Sequence, residues 1–176
     1  MYLQLRPSAC GLLAATSVLV LAGCSAHATP ARGGNEKFVL RSDSWPGNPD
    51  YAMTASGVFA DTGTFPGFGT GRNQSLARLA DGTFVLTHPA GQATTTRRQT
   101  NTATCAIALD QKGSFTVGRG TGAYKGIAGY GTFSADYTGV LPRRNGKCDT
   151  SPGAVPVKGS THAVIIGTGA ILLPPS

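Results

Sequence analysis

From Lys37 onward, apolar and polar residues alternate with a period of two over short runs, and glycine, proline, asparagine and aspartate break the runs apart. Alternation of that period is the signature of strands with one buried face, and no stripe of helical period competes with it. The runs Phe38–Ser42, Tyr51–Asp61, Ser75–Ala80, Thr83–His88, Gln92–Thr100, Thr102–Leu109, Ser114–Gly118, Gly129–Gly139 and Gly159–Leu172 predict about nine or ten short strands. Asp81-Gly82 between two such runs is a hairpin signal. Asp110-Gln-Lys-Gly113 predicts a second turn, Trp45-Pro-Gly-Asn-Pro-Asp50 a loop, and Thr64–Arg72 an irregular stretch. Strands this short, mostly linked as hairpins, predict one all-β domain, a barrel or a sandwich.

Parity along these runs predicts which residues share a face. Phe84, Leu86 and His88 fall together, opposite Thr83, Val85 and Thr87. Phe133, Ala135 and Tyr137 fall together, opposite Thr132, Ser134 and Asp136. His162-Ala-Val-Ile-Ile166 is apolar on both faces, which predicts cover on both sides, by the domain interior and by a loop or a neighbouring subunit.

Ahead of the strands the pattern changes. Arg6 precedes an apolar run from Leu12 to Ala22, about the length of a signal-peptide core and too short for a comfortable membrane span. The run ends in Leu21-Ala22-Gly23-Cys24, which resembles a bacterial lipobox. That reading makes 1–23 a lipoprotein signal peptide and Cys24 the acylated first residue of the mature chain. It places the protein on the outer face of the cell membrane, held there by several acyl chains. The alternative is an ordinary secreted protein cut near Ala26 or Ala28. Residues 24–36, with His27 among them, then read as a flexible tether, and 37–176 as the folded domain.

Composition adds to this picture. Charged residues are 13% of the chain, and 25 of its 176 residues are glycine, a mixture poor in helix formers. The formal charge is +7 and falls by one when Arg6 leaves with the signal. Outside the cytoplasm a basic surface meets anionic lipid or wall polymers, or is merely solvated. No basic pattern with interleaved aromatics points to nucleic acid. With Cys10 removed and Cys24 acylated, Cys105 and Cys148 remain. In an oxidising compartment they are most simply a disulfide, with free thiols or a metal site as alternatives. No histidine stands near either cysteine at zinc-ligand spacing, so no metal and no cofactor are expected.

The run Gly118-Arg-Gly-Thr-Gly-Ala-Tyr-Lys-Gly-Ile-Ala-Gly-Tyr-Gly-Thr-Phe133 fits no phosphate-binding frame. It leads into a strand where a dinucleotide fingerprint opens a helix, and it lacks the Gly-Lys-Ser/Thr of a P-loop. Its glycines read as backbone devices, with Tyr124 as a buried pin. Gly120-x-Gly122-x-Tyr124-x-Gly126-x-x-Gly129 resembles the segment shared by allene oxide cyclases and dirigent proteins, and by secreted actinobacterial proteins of that superfamily. The likeness covers roughly residues 51–139. It implies a small antiparallel β-barrel of about eight strands, an isomerase or coupling-directing activity, and trimers in some members. Dirigent proteins carry an arginine near the end of this run that is associated with their active pocket. Ala128 stands there in this chain, so that role does not transfer.

No hydrolase elbow, Ser-x-x-Lys pair or zinc-protease helix occurs, and the only glutamate, Glu36, falls in the expected tether. Within a barrel, His88, Phe84, Leu86, Phe133 and Tyr137 are the candidate residues of an interior ligand site, His88 being either a structural histidine or a base. His162 carries the same ambiguity. Arg97 and Arg98 fall on opposite faces of one strand, Asp136 on an exposed rib, and Arg143–Lys147 on a basic turn. The expectation is a membrane-anchored binder of a small apolar or aromatic molecule. The alternatives are a cyclase or isomerase acting by conformational templating, and a structural envelope protein whose barrel is filled by its own side chains. A homotrimer fits all three.

Overall fold

The computed structural model describes residues 31–46, 50–67, 73–89, 93–151 and 153–175. The expected signal peptide, Cys24 and His27 lie outside these residues. Among the described residues, eleven strands follow in chain order: β1 (Arg32–Ser42), β2 (Tyr51–Ser56), β3 (Asp61–Phe65), β4 (Gln74–Leu79), β5 (Gly82–Thr87), β6 (Thr94–Thr100), β7 (Ala106–Gly118), β8 (Ala128–Val140), β9 (Arg143–Arg144), β10 (Lys147–Cys148) and β11 (His162–Leu173).

Eight of them close an antiparallel barrel in the ring order β1-β2-β3-β4-β5-β7-β8-β11. The ring shuts where β1 pairs with β11 along its whole length and where Val85–Thr87 of β5 pair with Thr116–Gly118 of β7. β6 lies outside the ring: it extends the sheet beside the first half of β7, from Ile107 to Lys112.

Closure follows from the alternation in the sequence. β2 reads buried-exposed throughout, with Tyr51, Met53 and Ala55 inward, and β5 turns Phe84 and Leu86 inward. A closed ring leaves no sheet edge to protect. Burying each large apolar side chain contributes about 1.5–3 kcal/mol. β4 and β5 form the expected hairpin across Ala80-Asp81, where Gly82 takes φ +155°. On the tip of the β9–β10 hairpin, Asn145 and Gly146 both take positive φ, as a tight two-residue turn requires. Cys105 and Cys148 form a disulfide that ties the entry to β7 to that hairpin.

Four expectations are corrected. The tether does not run to Glu36: β1 begins at Arg32, and its first half, Arg32–Glu36, pairs antiparallel with Gly169–Leu173 of β11. Arg32-Gly-Gly-Asn-Glu36 carries no large apolar side chain and so gave no alternation to read. Tyr51–Asp61 is two strands joined by a bend at Gly57. Asp110-Gln-Lys-Gly113 is no turn but the middle of β7, where it is paired on both sides, to β8 throughout and to β6 as far as Lys112. Finally, β11 is covered on its inner face alone: Ile166 is 36% and Leu172 51% exposed on the outer one.

Candidate functional site

The barrel interior is filled at one end and open at the other. At the filled end the glycine run crosses the floor. It leaves β7 at Gly118, makes a single 3-10 turn over Gly122–Tyr124 and enters β8 at Ala128. Tyr124 is 2% exposed, and its ring lies 4.8 Å from Phe59 and 5.4 Å from Phe84, edge-on to the latter. Phe38 joins Phe84 at 5.8 Å and Phe115 at 5.9 Å. Gly120 is obligatory here, since a Cβ would sit 1.8 Å from the Tyr124 carbonyl oxygen.

Two carboxyls fasten the floor. The Tyr124 hydroxyl donates to Asp61 Oδ2 at 2.5 Å, and the amides of Thr62, Ala80 and Asp81 also donate to that carboxylate. Burial alone would raise the Asp61 pKa, but these donors outweigh it and hold the group below the ordinary carboxylate range. Glu36 is 1% exposed, and its Oε2 accepts from the Phe59 amide at 3.1 Å. Here burial wins, raising the pKa against the amides of Phe59, Val58, Ser56 and Lys37. Neither carboxyl faces the open end.

Beyond Phe38 and Phe115 the lumen opens into a cavity of about 380 Å³, within the range of small-molecule sites, about 300–1,000 Å³. Its walls are aromatic and aliphatic: Phe65, Leu86, Phe133, Leu109 and Ile165 stand around it, with Trp45 and Pro46 at the mouth. The polar groups are few. Tyr51 and Tyr137 hydrogen-bond to each other through their hydroxyls, and burial raises both pKa values, so both are neutral phenols at physiological pH. Gln111 and His88 complete the set. No Asp, Glu, Lys or Arg lines the cavity among the described residues.

Trp45 roofs one side. Its indole lies 5.3 Å from the Tyr137 ring and its Nε1 donates to the Thr138 carbonyl at 2.8 Å. His88 meets Phe133 edge-to-face at 5.9 Å.

Of the five interior candidates, the structure brings Leu86, His88, Phe133 and Tyr137 together around the cavity. Phe84 belongs elsewhere: fully buried, it packs in the floor beside Tyr124. Trp45, Tyr51 and Gln111 are wall residues that the sequence reading did not single out. His162 is a rim residue on the outer face, its Nδ1 2.7 Å from Asp43 Oδ1. Asp136 lies outside the barrel, as an exposed rib predicts. In the basic turn, Arg143 donates to the carbonyls of Gly146 and Ala103, a local brace. Ala128 is exposed at the floor end, remote from the cavity.

No group of three or more His, Cys, Asp or Glu side chains capable of holding a metal occurs among the described residues. Comparison of the chain with models of protein families, with curated proteins and with solved structures gives no match in any of the three.

Proposed function

We propose that the protein is a binder of a small, largely apolar molecule, displayed outside the cell on a lipid anchor at Cys24. The observation that carries the binding reading is the cavity itself: one end of the barrel is packed with aromatic rings, and the other is left open and lined by more of them. A barrel serving only as an envelope scaffold gains from filling that space, since each void forfeits packing energy. The Tyr51–Tyr137 pair, Gln111 and His88 supply the few polar contacts that orient a ligand in an apolar site.

The barrel of eight strands and the place of the glycine run between two of them also support kinship with the allene oxide cyclase and dirigent group. Templating of an isomerisation is a second reading, favoured by one feature: a rigid cavity with neutral phenols restrains a reactive chain with few chemical groups. The Cys105–Cys148 disulfide accords with an oxidising compartment.

The test uses N-phenyl-1-naphthylamine, an uncharged dye that fluoresces in apolar surroundings. Saturable binding at one site per chain is expected, and Ala93→Trp, which places an indole at the cavity wall, should abolish it while leaving the melting curve unchanged. Absence of binding by the native protein, or equal binding by the blocked variant, would refute the cavity reading. The anchor is tested separately by labelling cells with palmitate: Cys24→Ala should release the protein and lose the label.

A further inference from the structure

β6 is exposed along all seven of its residues and takes no part in closing the barrel. Its register is nevertheless defined. An irregularity between Thr95 and Arg97 sets Arg97 opposite Asp110 and Arg98 opposite Leu109. The two arginines therefore point to opposite faces of the same strand. Arg97 faces outward and is satisfied there, with Nε 2.6 Å from Asp110 Oδ2 and a second contact of 2.9 Å to Oδ1. Arg98 shares the inner face with Leu109, a cavity wall residue.

Directly opposed side chains on one face have Cβ atoms about 5 Å apart, a distance that an arginine outreaches. Gln111, diagonal to Arg98 on β7, also lines the cavity. Arg98 thus stands at the mouth, on the same side as two wall residues.

The charges around it make the position distinctive. Arg98 forms no ion pair among the described residues. Asp110 and Asp136, opposite one another on β7 and β8, are on the outer face. Asp43 is engaged by His162. Asp50 adjoins β2, which stands four strands from β7 in either direction around the ring, on the far wall. Among the described residues, the inner surface beside β6 therefore carries one cation and no carboxylate, above a cavity whose described walls carry no charge.

Building on the cavity reading, we infer that the ligand is an amphipathic monoanion. Its apolar body fills the cavity, and its carboxylate- or sulfonate-like head rests at Arg98. An anion drawn deeper would lose hydration with no cation to replace it. At the mouth it keeps part of its water and gains charge-assisted hydrogen bonds to the guanidinium. The gain at an exposed rim is modest and falls with added salt.

Two dyes with the same phenylnaphthylamine body separate this inference from the reading it builds on: the neutral compound used above, and 1-anilinonaphthalene-8-sulfonate. Arg98→Gln, on an exposed strand, should fold normally. It should weaken the sulfonate about fivefold, the scale of one partly exposed charge contact, and leave the neutral dye within twofold. Raising salt should weaken the sulfonate on the native protein and not on the variant. An unchanged sulfonate-to-neutral ratio in Arg98→Gln, with the neutral dye still bound, overturns the inference and leaves the cavity reading standing. Sulfonate binding that survives Ala93→Trp also overturns it, because the dye then sits elsewhere. Failure of the neutral dye on the native protein removes both.

Discussion

The Tyr124 hydroxyl and the Asp61 carboxylate meet at 2.5 Å across 63 residues of chain, joining the glycine run to the start of β3 beneath the aromatic floor. Because Asp61 has its pKa lowered, its stabilisation is present above its unfolded pKa and is lost as pH falls through the folded value. Tyr124→Phe removes one donor and leaves the ring in place. It should cost about 1–2 kcal/mol at pH 7 and progressively less at acid pH, as the carboxyl takes up its proton and the bond loses its charge. Urea denaturation at neutral and at acid pH measures the difference; an equal cost at both would mean that the contact contributes through packing alone.

Glu36 has the opposite sign. Its pKa is raised by burial, so its contribution is most favourable below the unfolded value and declines as pH rises through the folded one. Glu36→Gln fixes the side chain in an uncharged form. The variant should therefore gain on the native protein between pH 4 and pH 7.5 in denaturant midpoints. Glu36→Ala, which strips the Phe59 amide of its acceptor, should be destabilised at every pH by about 1–3 kcal/mol. A native protein whose advantage over Glu36→Gln grows with pH would contradict the assignment.

The glycine run separates backbone necessity from composition. A Cβ on Gly118 meets nothing within 4 Å, whereas one on Gly120 collides with the Tyr124 carbonyl and one on Gly131 lies 2.3 Å from the Thr168 carbonyl oxygen. Gly118→Ala should stay within about 0.5 kcal/mol of the native protein. Gly120→Ala and Gly131→Ala should each lose more than about 2 kcal/mol, since the nearest atoms are backbone and cannot rotate away. Thermal melts of the three variants decide the matter.

Much of this was readable from alternation. Parity placed Leu86, His88, Phe133 and Tyr137 on the inner face, and all four reach the cavity. It also placed Phe84 inward, correctly, but parity assigns a face and not a depth along the barrel axis. Two residues toward the floor, the same face belongs to the packed plug. Gln111 was hidden because Asp110-Gln-Lys-Gly113 has turn composition, while the pairing of β7 on both sides holds it extended. Trp45 was hidden in a segment of proline and glycine. What brings it to the cavity is the long-range bond to Thr138, 93 residues away, which no local pattern records. Glu36 was assigned to a tether because a carboxylate among glycines reads as solvated; the amides that receive it come from Val58 and Phe59 in the bend after β2, from Ser56 at the end of β2 and from the neighbouring Lys37.

The Cys105–Cys148 disulfide spans 43 residues. The chain-entropy relation gives about 3–4 kcal/mol for a loop of that size, which is a fall of roughly 6–16 °C in Tm for a domain of this length. Cys148→Ser paired with Cys105→Ala should show it in calorimetry. Binding of the neutral dye should persist at temperatures where both proteins are folded, since neither sulfur lines the cavity.

Trp45 is the only tryptophan in the chain, and it stands at the cavity mouth with its ring against Tyr137 and its Nε1 bonded to the Thr138 carbonyl. Its emission therefore reports on one place. A ligand that enters displaces water from the indole, so the emission should shift to shorter wavelength and saturate with the same affinity that the dyes give. Tyr137→Phe keeps the ring contact and removes the hydroxyl that Tyr51 shares. It should leave the unliganded spectrum nearly unchanged and weaken ligands that bond to the phenol pair, while the neutral dye is unaffected. If the spectrum does not respond to a ligand that binds at one site per chain, the ligand is not at this mouth, whatever its affinity.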